Sequence, residues 1–207
     1  MARTRNSGSG ENLWDELHGI KQERILREAA QLFFERGYTS TTVDAIAEKI
    51  GATKPFIYYH FKRKIDLLVE ICERTNRDAL KVTTKAAAQN LMPVEQLRLF
   101  VHEFTDVVLT QHHYVSVYFR EQIQLPAPDA KRIANMRKQI DKKLQEILTR
   151  GKKENVFEFD DLAICSLVIA GMLSYAFAWY REGGRLSNDE IREQMVVYVL
   201  RVVKADG

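Results

Sequence analysis

The chain has 207 residues, 45% of them hydrophobic and 29% charged, with a net charge of +3. That suits one domain or two small ones sharing a helix, with a core of ordinary size and the composition of a soluble globular protein. So small a net charge excludes a uniformly basic coat and makes any nucleic-acid-reading face a local feature. Cys72 and Cys165 are far apart and lack a C-x-x-C partner, which leaves them as reduced core thiols of a cytoplasmic protein.

Residues 1–19 read as an N-terminal extension. No apolar stretch opens it, so no signal peptide is expected. Arg3 and Arg5 lie in a Gly/Ser/Arg-rich arm over residues 1–10 and could enter a minor groove, as basic arms do. A solvated tail is the competing reading, because Glu11, Asp15 and Glu16 follow and repel phosphate. Residues 12–36 predict the first helix, with Ile25, Leu26, Ala29, Ala30, Leu32 and Phe33 as its apolar stripe. Gly37 ends it, and Tyr38 can fold back on the last turn.

Two short helical patterns then flank Gly51, too close together to be independent elements. The first starts at Thr41 or Thr42, with a capping box legible in Thr41 and Asp44, and Val43, Ile46, Ala47 and Ile50 recur at helical spacing. Gly51 supplies a left-handed stop; Thr53 can cap the second helix and Pro55 sits in its first turn, where a missing N–H costs nothing. Two such helices joined by a glycine turn make a helix-turn-helix, here assigned to residues 20–66. No carboxylate occurs from residue 49 to 64, whereas Lys49, Lys54, Lys62, Arg63 and Lys64 are cationic. Thr42, Thr53, Lys54, Pro55, Phe56, Tyr58, Tyr59, His60 and Lys64 are therefore the candidate DNA-binding residues, some for phosphates and some for base edges in a major groove. A merely solvated basic face is the alternative.

The pattern T-x-x-x-I-A-x-x-x-G-x-x-x-x-x-x-Y-x-x-F-x-x-K, carried by Thr42, Ile46, Ala47, Gly51, Tyr58, Phe61 and Lys64, resembles the DNA-binding signature of the TetR family of transcriptional regulators. The resemblance implies an all-α, nine-helix architecture: an N-terminal three-helix DNA-binding domain and a C-terminal helical ligand-binding and dimerisation domain, here residues 67–207. Pro55-Phe56 departs from the small residues often found there, which bears on the operator sequence rather than on the role.

The rest of the chain reads as helices throughout. A long fourth helix opens at Lys64 and runs to about residue 90, belonging to both halves and serving as a natural lever. Pro93 restarts a helix to about residue 111, and residues 114–124 form a short aromatic one. Residues 130–153 are amphipathic, with Ile133, Met136, Ile140, Leu144, Ile147 and Leu148 inward. Phe159 is placed to staple onto Ile164, with Asp160 as the cap of a helix over residues 160–181. Ser187 and Glu190 make a second capping box for a last helix over residues 187–204. Residues 162–180 carry no charge, which is long enough for a membrane span. Ser166, Ala170, Ser174 and Ala178 nevertheless recur every four residues, and a helix buried on all sides in a dimer accounts for them. That stripe, with Ile191, Met195, Tyr198, Val199 and Val202 of the last helix, is the expected four-helix homodimer interface.

Phe100, Phe104, Tyr114, Tyr118, Phe119, Met172, Tyr175, Phe177 and Trp179 are more aromatic than a small helical core requires. Apolar cavities with a few polar anchors hold small molecules between helices. The candidate ligand-binding residues are Phe104, Tyr114, Tyr118, Arg120, Met172, Tyr175, Trp179 and Arg181, with His102 and His113 as further anchors; plain core filling is the rival for any one aromatic. His112 and His113, adjacent on a helix, point to different sides, and no metal or cofactor is expected. No nucleophile–base pair stands out, so no enzyme and no catalytic residue is expected. The segments His112–Glu121 and 179–191 resemble the C-terminal halves of TetR-type repressors of lipid, steroid and aromatic-acid breakdown. That resemblance implies an acyl-CoA effector, its acyl chain or ring among the aromatics and its phosphates near Arg120, Arg181 or Arg185. The function expected is a dimeric repressor of a palindromic operator in double-stranded DNA, its reading helices about 34 Å apart until a ligand shifts them. A regulator of an efflux system sensing hydrophobic drugs, or a DNA-binding module without a sensor, stays open.

Overall fold

The computed structural model describes the backbone of residues 8–205 and the side chains of residues 19–205. Arg3 and Arg5 lie outside the described residues. Among those described the chain is all α: α1 (Gly8–Arg36), α2 (Val43–Lys49), α3 (Lys54–His60), α4 (Lys64–Ala87), α5 (Pro93–Thr110), α6 (His112–Glu121), α7 (Ala127–Lys153), α8 (Leu162–Ser174), α9 (Ala176–Trp179) and α10 (Asn188–Val202), with a 3-10 turn at Gln122–Gln124. α8 and α9 are one apolar helix broken at Tyr175, so that nine helices are present among the described residues. The chain clusters into two units, Met1–Ile71 and Cys72–Gly207, with the boundary inside α4.

In the first unit α1 packs on α2 and α2 on α3. The stripe of Ile25, Leu26, Ala29, Ala30, Leu32 and Phe33 is buried, as are Val43, Ile46, Ala47 and Ile50 of α2, Ile57 of α3, and Leu67, Leu68 and Ile71 of α4. Gly37 takes φ +83° and Tyr38 returns edge-on to Phe33 with centroids 5.2 Å apart. The expected capping box at Thr41 is corrected by one residue. Thr41 is buried and its hydroxyl donates to the Gly37 carbonyl at 2.8 Å, so Thr42, which faces solvent, caps α2 by accepting from the Ala45 N–H at 3.1 Å. At the other end Gly51 adopts φ +67°, its N–H reaches Glu48 O, and the Ala52 N–H reaches Ala47 O. This double closure satisfies the last carbonyls and turns the chain into α3.

In the second unit α5 is the central helix, packed against α7, α8 and α10. Leu97, Phe100, Val101, Phe104, Val108 and Leu109 are buried on several of its sides. The Gln96 amide, 3% exposed, donates to Ala87 O at 2.6 Å and Gln89 O at 3.0 Å, closing the end of α4 from within α5. α7 ends in another double closure, with Asn155 at φ +57° and the Val156 N–H on Gly151 O at 2.9 Å. Gly151 is required there by approach rather than by φ: an added Cβ would lie 1.9 Å from the Phe157 ring. α8 starts one residue later than its expected cap, since Asp161, not Asp160, accepts from the Ile164 N–H at 2.8 Å. Ile164 then points outward, 61% exposed, while Phe159 is half-buried against the core with the Lys152 ammonium 4.8 Å from its ring centre. The Ser187–Glu190 capping box is present in both directions. The stretch Leu162–Trp179 is long and apolar enough to cross a membrane by composition; in this fold it is interrupted at Tyr175 and rests on α5 and α7.

Candidate nucleic-acid interface and effector cavity

α3 owes its role to what it buries and what it leaves out. Ile57 anchors it, while Thr53, Lys54, Pro55, Tyr58 and Tyr59 face solvent, Tyr59 at 75% exposure. Thr53 stands at the N-cap without using its hydroxyl there, contrary to expectation, which leaves that hydroxyl outward for another acceptor. Phe56 and Tyr59 both meet the half-buried His60 edge-on, at centroid distances of 4.9 and 5.1 Å, so the aromatic side chains hold one another. The Lys54 ammonium sits 2.8 Å from Asp44 Oδ2, and this hydrogen bond together with the carboxylate charge raises its pKa. A phosphate or a guanine edge would have to replace Asp44 as its partner. Thr42 is spent on capping α2 but remains exposed at the start of the same face.

Lys64 is placed differently from its expected position against phosphate. Its ammonium donates to Tyr38 O at 2.6 Å and Thr41 O at 2.7 Å and lies 4.3 Å from the Tyr38 ring centre. It gathers the carbonyls of the loop that ends α1, which have no helical partner of their own. Its first work is to tie α4 to that loop.

The second unit contains a cavity of about 360 Å³ between α4, α5, α6, α7 and α8. Phe100, Phe104, Tyr118 and Phe119 form much of its apolar wall. Of the expected ligand-binding residues, Phe104 and Tyr118 line it. Tyr114, Arg120, Met172, Tyr175, Trp179 and Arg181 are not among its lining. Tyr114 packs under Arg74 at 5.7 Å, Arg120 pairs with Glu121 at 3.2 Å, and Arg181 donates to its neighbour's carbonyl, Tyr180 O, at 2.8 Å. Met172 and Trp179 border a second, open groove beside Tyr198 and Arg185. Tyr175 is exposed against Phe177, whose ring stacks on Phe119 at 4.9 Å. His112 and His113 do not diverge as expected: their ring centres are 4.0 Å apart, with His112 edge-on to Tyr180.

The polar groups of the cavity are ones that residue type alone does not single out. Arg137 and Lys138 of α7, Asp141 one turn on, and Thr75 and Asn76 of α4 line it. Arg137 donates to the Tyr118 hydroxyl at 3.1 Å with its guanidinium 5.7 Å from that ring. A signal exists for one of them: Asp141, half-buried, lies between Ile140 and Leu144 beside the stripe that faces inward, whereas Arg137 and Lys138 are exposed at its edge.

The small-residue stripe of α8 also faces the chain's own interior, which corrects the expected dimer surface. Ser166 is buried and hydrogen-bonded by Gln145, and Ala170 and Ser174 line the cavity. Ile191, Met195 and Val199 of α10 are likewise buried within the chain. The side left open carries Ile164, Leu167, Val168, Tyr175 and Trp179, all at least 46% exposed, with Tyr198 of α10. Leu167 and Val168 follow Ile164 by three and four residues and Tyr175 comes two turns after Val168, so these form one apolar strip, with Leu167 also at the cavity. Among the described residues no cluster of His, Cys, Asp and Glu is arranged to hold a metal.

Residues 25–71 match the family described as bacterial regulatory proteins, tetR family, and residues 90–203 match the tetracyclin repressor-like C-terminal domain. The HTH-type transcriptional repressor KstR2 of Mycobacterium tuberculosis is 27% identical over 198 residues, covering 90% of this chain and 94% of that protein. The solved structure of KstR2, a ketosteroid transcriptional regulator of Mycobacterium tuberculosis, is similar with a TM-score of 0.82 at 25% identity, covering 90% of this chain and 96% of that one. PfmR of Thermus thermophilus, a TetR family transcriptional regulator, gives a TM-score of 0.80 at 26% identity over 89% of this chain and 99% of that one. AibR, solved in complex with isovaleryl coenzyme A and operator DNA, is alike in fold, with a TM-score of 0.74 at 23% identity over 86% of this chain and 97% of that one. Matched along both its helix-turn-helix and its helical second unit, the chain belongs to the TetR family of DNA-binding transcription regulators.

Proposed function

We propose that this regulator is a cytoplasmic repressor that binds a palindromic operator as a homodimer and is released by a hydrophobic metabolite, an acyl-coenzyme A thioester being the ligand class. The observation that carries the reading is the cavity of about 360 Å³, walled by Phe100, Phe104, Tyr118 and Phe119 with Arg137 and Lys138 on one side. An apolar body bounded by cations suits an acyl chain or ring joined to a phosphate-bearing carrier. KstR2 is a repressor by its description, which supports the same sign of regulation here; AibR is likened to this chain by fold alone, so the ligand class rests on the cavity and on the sequence resemblance. Thr53, Lys54, Pro55, Phe56, Tyr58, Tyr59 and His60 form the reading surface, with Thr42 and Lys64 setting it from either end. The open strip of α8, α9 and α10 supports the dimer, because one helix-turn-helix makes few contacts and two read a palindrome.

Release follows from α4. It runs through both units and lines the cavity with Thr75, Asn76 and Ala79, while residues 61–63 alone separate it from α3. A ligand that favours one setting of α4 biases the reading helices, and a coupling of about 1–3 kcal/mol changes occupancy by roughly tenfold or more. The test is fluorescence anisotropy of labelled promoter DNA titrated with this protein, then with coenzyme A thioesters and with a set of hydrophobic drugs. Release by thioesters at micromolar concentration is the expected result. Release by drugs alone would transfer the reading to efflux control, and no release by either class would leave a DNA-binding module without a sensor.

A further inference from the structure

Two residues that line the cavity, Thr75 and Asp141, each carry a polar atom left without a partner, and both have a reason to be otherwise. A threonine inside a helix can satisfy its own hydroxyl by donating to the carbonyl four residues back. Thr83, buried in the same α4, does this to Ala79 O at 2.7 Å, and Thr110 does it to Asp106 O at 2.7 Å. Thr75, 7% exposed and lining the cavity, does not: its Oγ1 is sealed from water and bonded to nothing. Asp141 enters the same cavity from α7. Gln145 donates to its Oδ2 at 2.8 Å, and the same amide reaches Ser166 Oγ at 3.1 Å, so the carboxylate is held in place by a partner that is itself held. Its Oδ1 is sealed from water and has no donor. An unpartnered carboxylate oxygen and an unpartnered hydroxyl, both sealed from water, are costly to keep in the free protein. A turn about the side-chain torsions brings either atom to the cavity surface, where a ligand that supplies a donor matches it.

We infer that the effector carries a hydroxyl on its apolar body, donated to Asp141 Oδ1, with Thr75 Oγ1 as a second polar contact, so that these two residues select hydroxylated ligands over their plain counterparts. The inference rests on the reading of the cavity as an acyl-thioester site and sharpens it. A site built to hydrogen-bond a ligand hydroxyl rejects the analogue lacking it, because its own polar groups then stay unpaired. Arg137 already donates to the Tyr118 hydroxyl at 3.1 Å, and it and Lys138 are the cations assigned above to the phosphate-bearing carrier.

The experiment is isothermal titration of the full-length protein with decanoyl coenzyme A and with its 3-hydroxy and 10-hydroxy counterparts, repeated on Thr75→Val and Asp141→Asn. One hydroxylated thioester should bind wild type about tenfold or more tightly than decanoyl coenzyme A. Both variants should lose most of that preference while binding the plain thioester within about twofold of wild type. Without ligand, Thr75→Val should melt no lower than wild type, since a methyl replaces a hydroxyl that bonds to nothing. Equal binding of the three thioesters to wild type would overturn the inference and leave the thioester reading standing; binding of none would remove both. A Thr75→Val melting point well below wild type would also overturn it, by showing that the hydroxyl serves the fold.

Discussion

At the scale of single residues, the proposed reading face separates side chains free to meet DNA from those that shape the surface. Tyr59 is exposed and contributes nothing to the core, so Tyr59→Ala should leave the melting temperature unchanged and weaken operator binding on every sequence, as an anisotropy titration at fixed salt would show. Lys54→Ala removes an exposed ion pair with Asp44, worth little to stability, and should mainly blur the preference for one operator over its variants. Lys64 is legible in the sequence as the last residue of the motif pattern but not as a clamp on Tyr38 O and Thr41 O, because a lysine's reach is settled by which carbonyls surround it. Lys64→Met should lower the unfolding free energy in urea by about 1–3 kcal/mol, the cost of stranding carbonyls it now satisfies. The second unit adds a pH dependence. Arg132 hydrogen-bonds Glu73 at 2.5 and 3.0 Å and thereby holds its carboxyl below the usual carboxylate range. A depressed pKa contributes stability that is fully present above the unfolded value near ~4.3 and is lost as pH falls through the folded one. Arg132→Met should therefore flatten the fall in melting temperature between neutral pH and pH 3.

At the scale of elements, caps and closures set where each helix begins and ends. The sequence places the start of α2 and of α8 to within one residue, yet favours Thr41 over Thr42 and Asp160 over Asp161. Neighbouring residues of identical chemistry cannot be ranked by pattern; burial decides, and the hydroxyl turned inward is already committed to a carbonyl. Thr42→Ala should accordingly cost about 1 kcal/mol by thermal unfolding, whereas Thr53→Ala, which loses no cap bond, should cost little. Gly151 shows the same limit from the other side. Nothing local marks it, but the Phe157 ring occupies the place of its missing side chain, and Gly151→Ala should destabilise by about 1–3 kcal/mol through overpacking. The break at Tyr175 carries neither glycine nor proline at the site, and its position follows only from the tertiary structure.

At the scale of the whole molecule, the exposed strip on α8, α9 and α10 is the surface proposed for a second copy. Val168→Glu, at a position 50% exposed and away from the cavity lining, should leave each chain folded by circular dichroism while halving the mass seen by sedimentation and removing the two-fold symmetry of a DNA footprint. A dimer that survives this change would place the interface elsewhere. What the amino-acid order determined unaided was the helix-turn-helix and the all-α architecture. Those rest on short-range physics: a glycine that must be left-handed, caps beside helical repeats, and a basic stretch free of carboxylates. Only the tertiary structure decided which side of α8 faces inward and which polar side chains line the cavity. A helix that is apolar all round offers periodicity no contrast to read, and an aspartate beside an inward stripe looks like an ordinary surface charge until the neighbouring helices are in place around it.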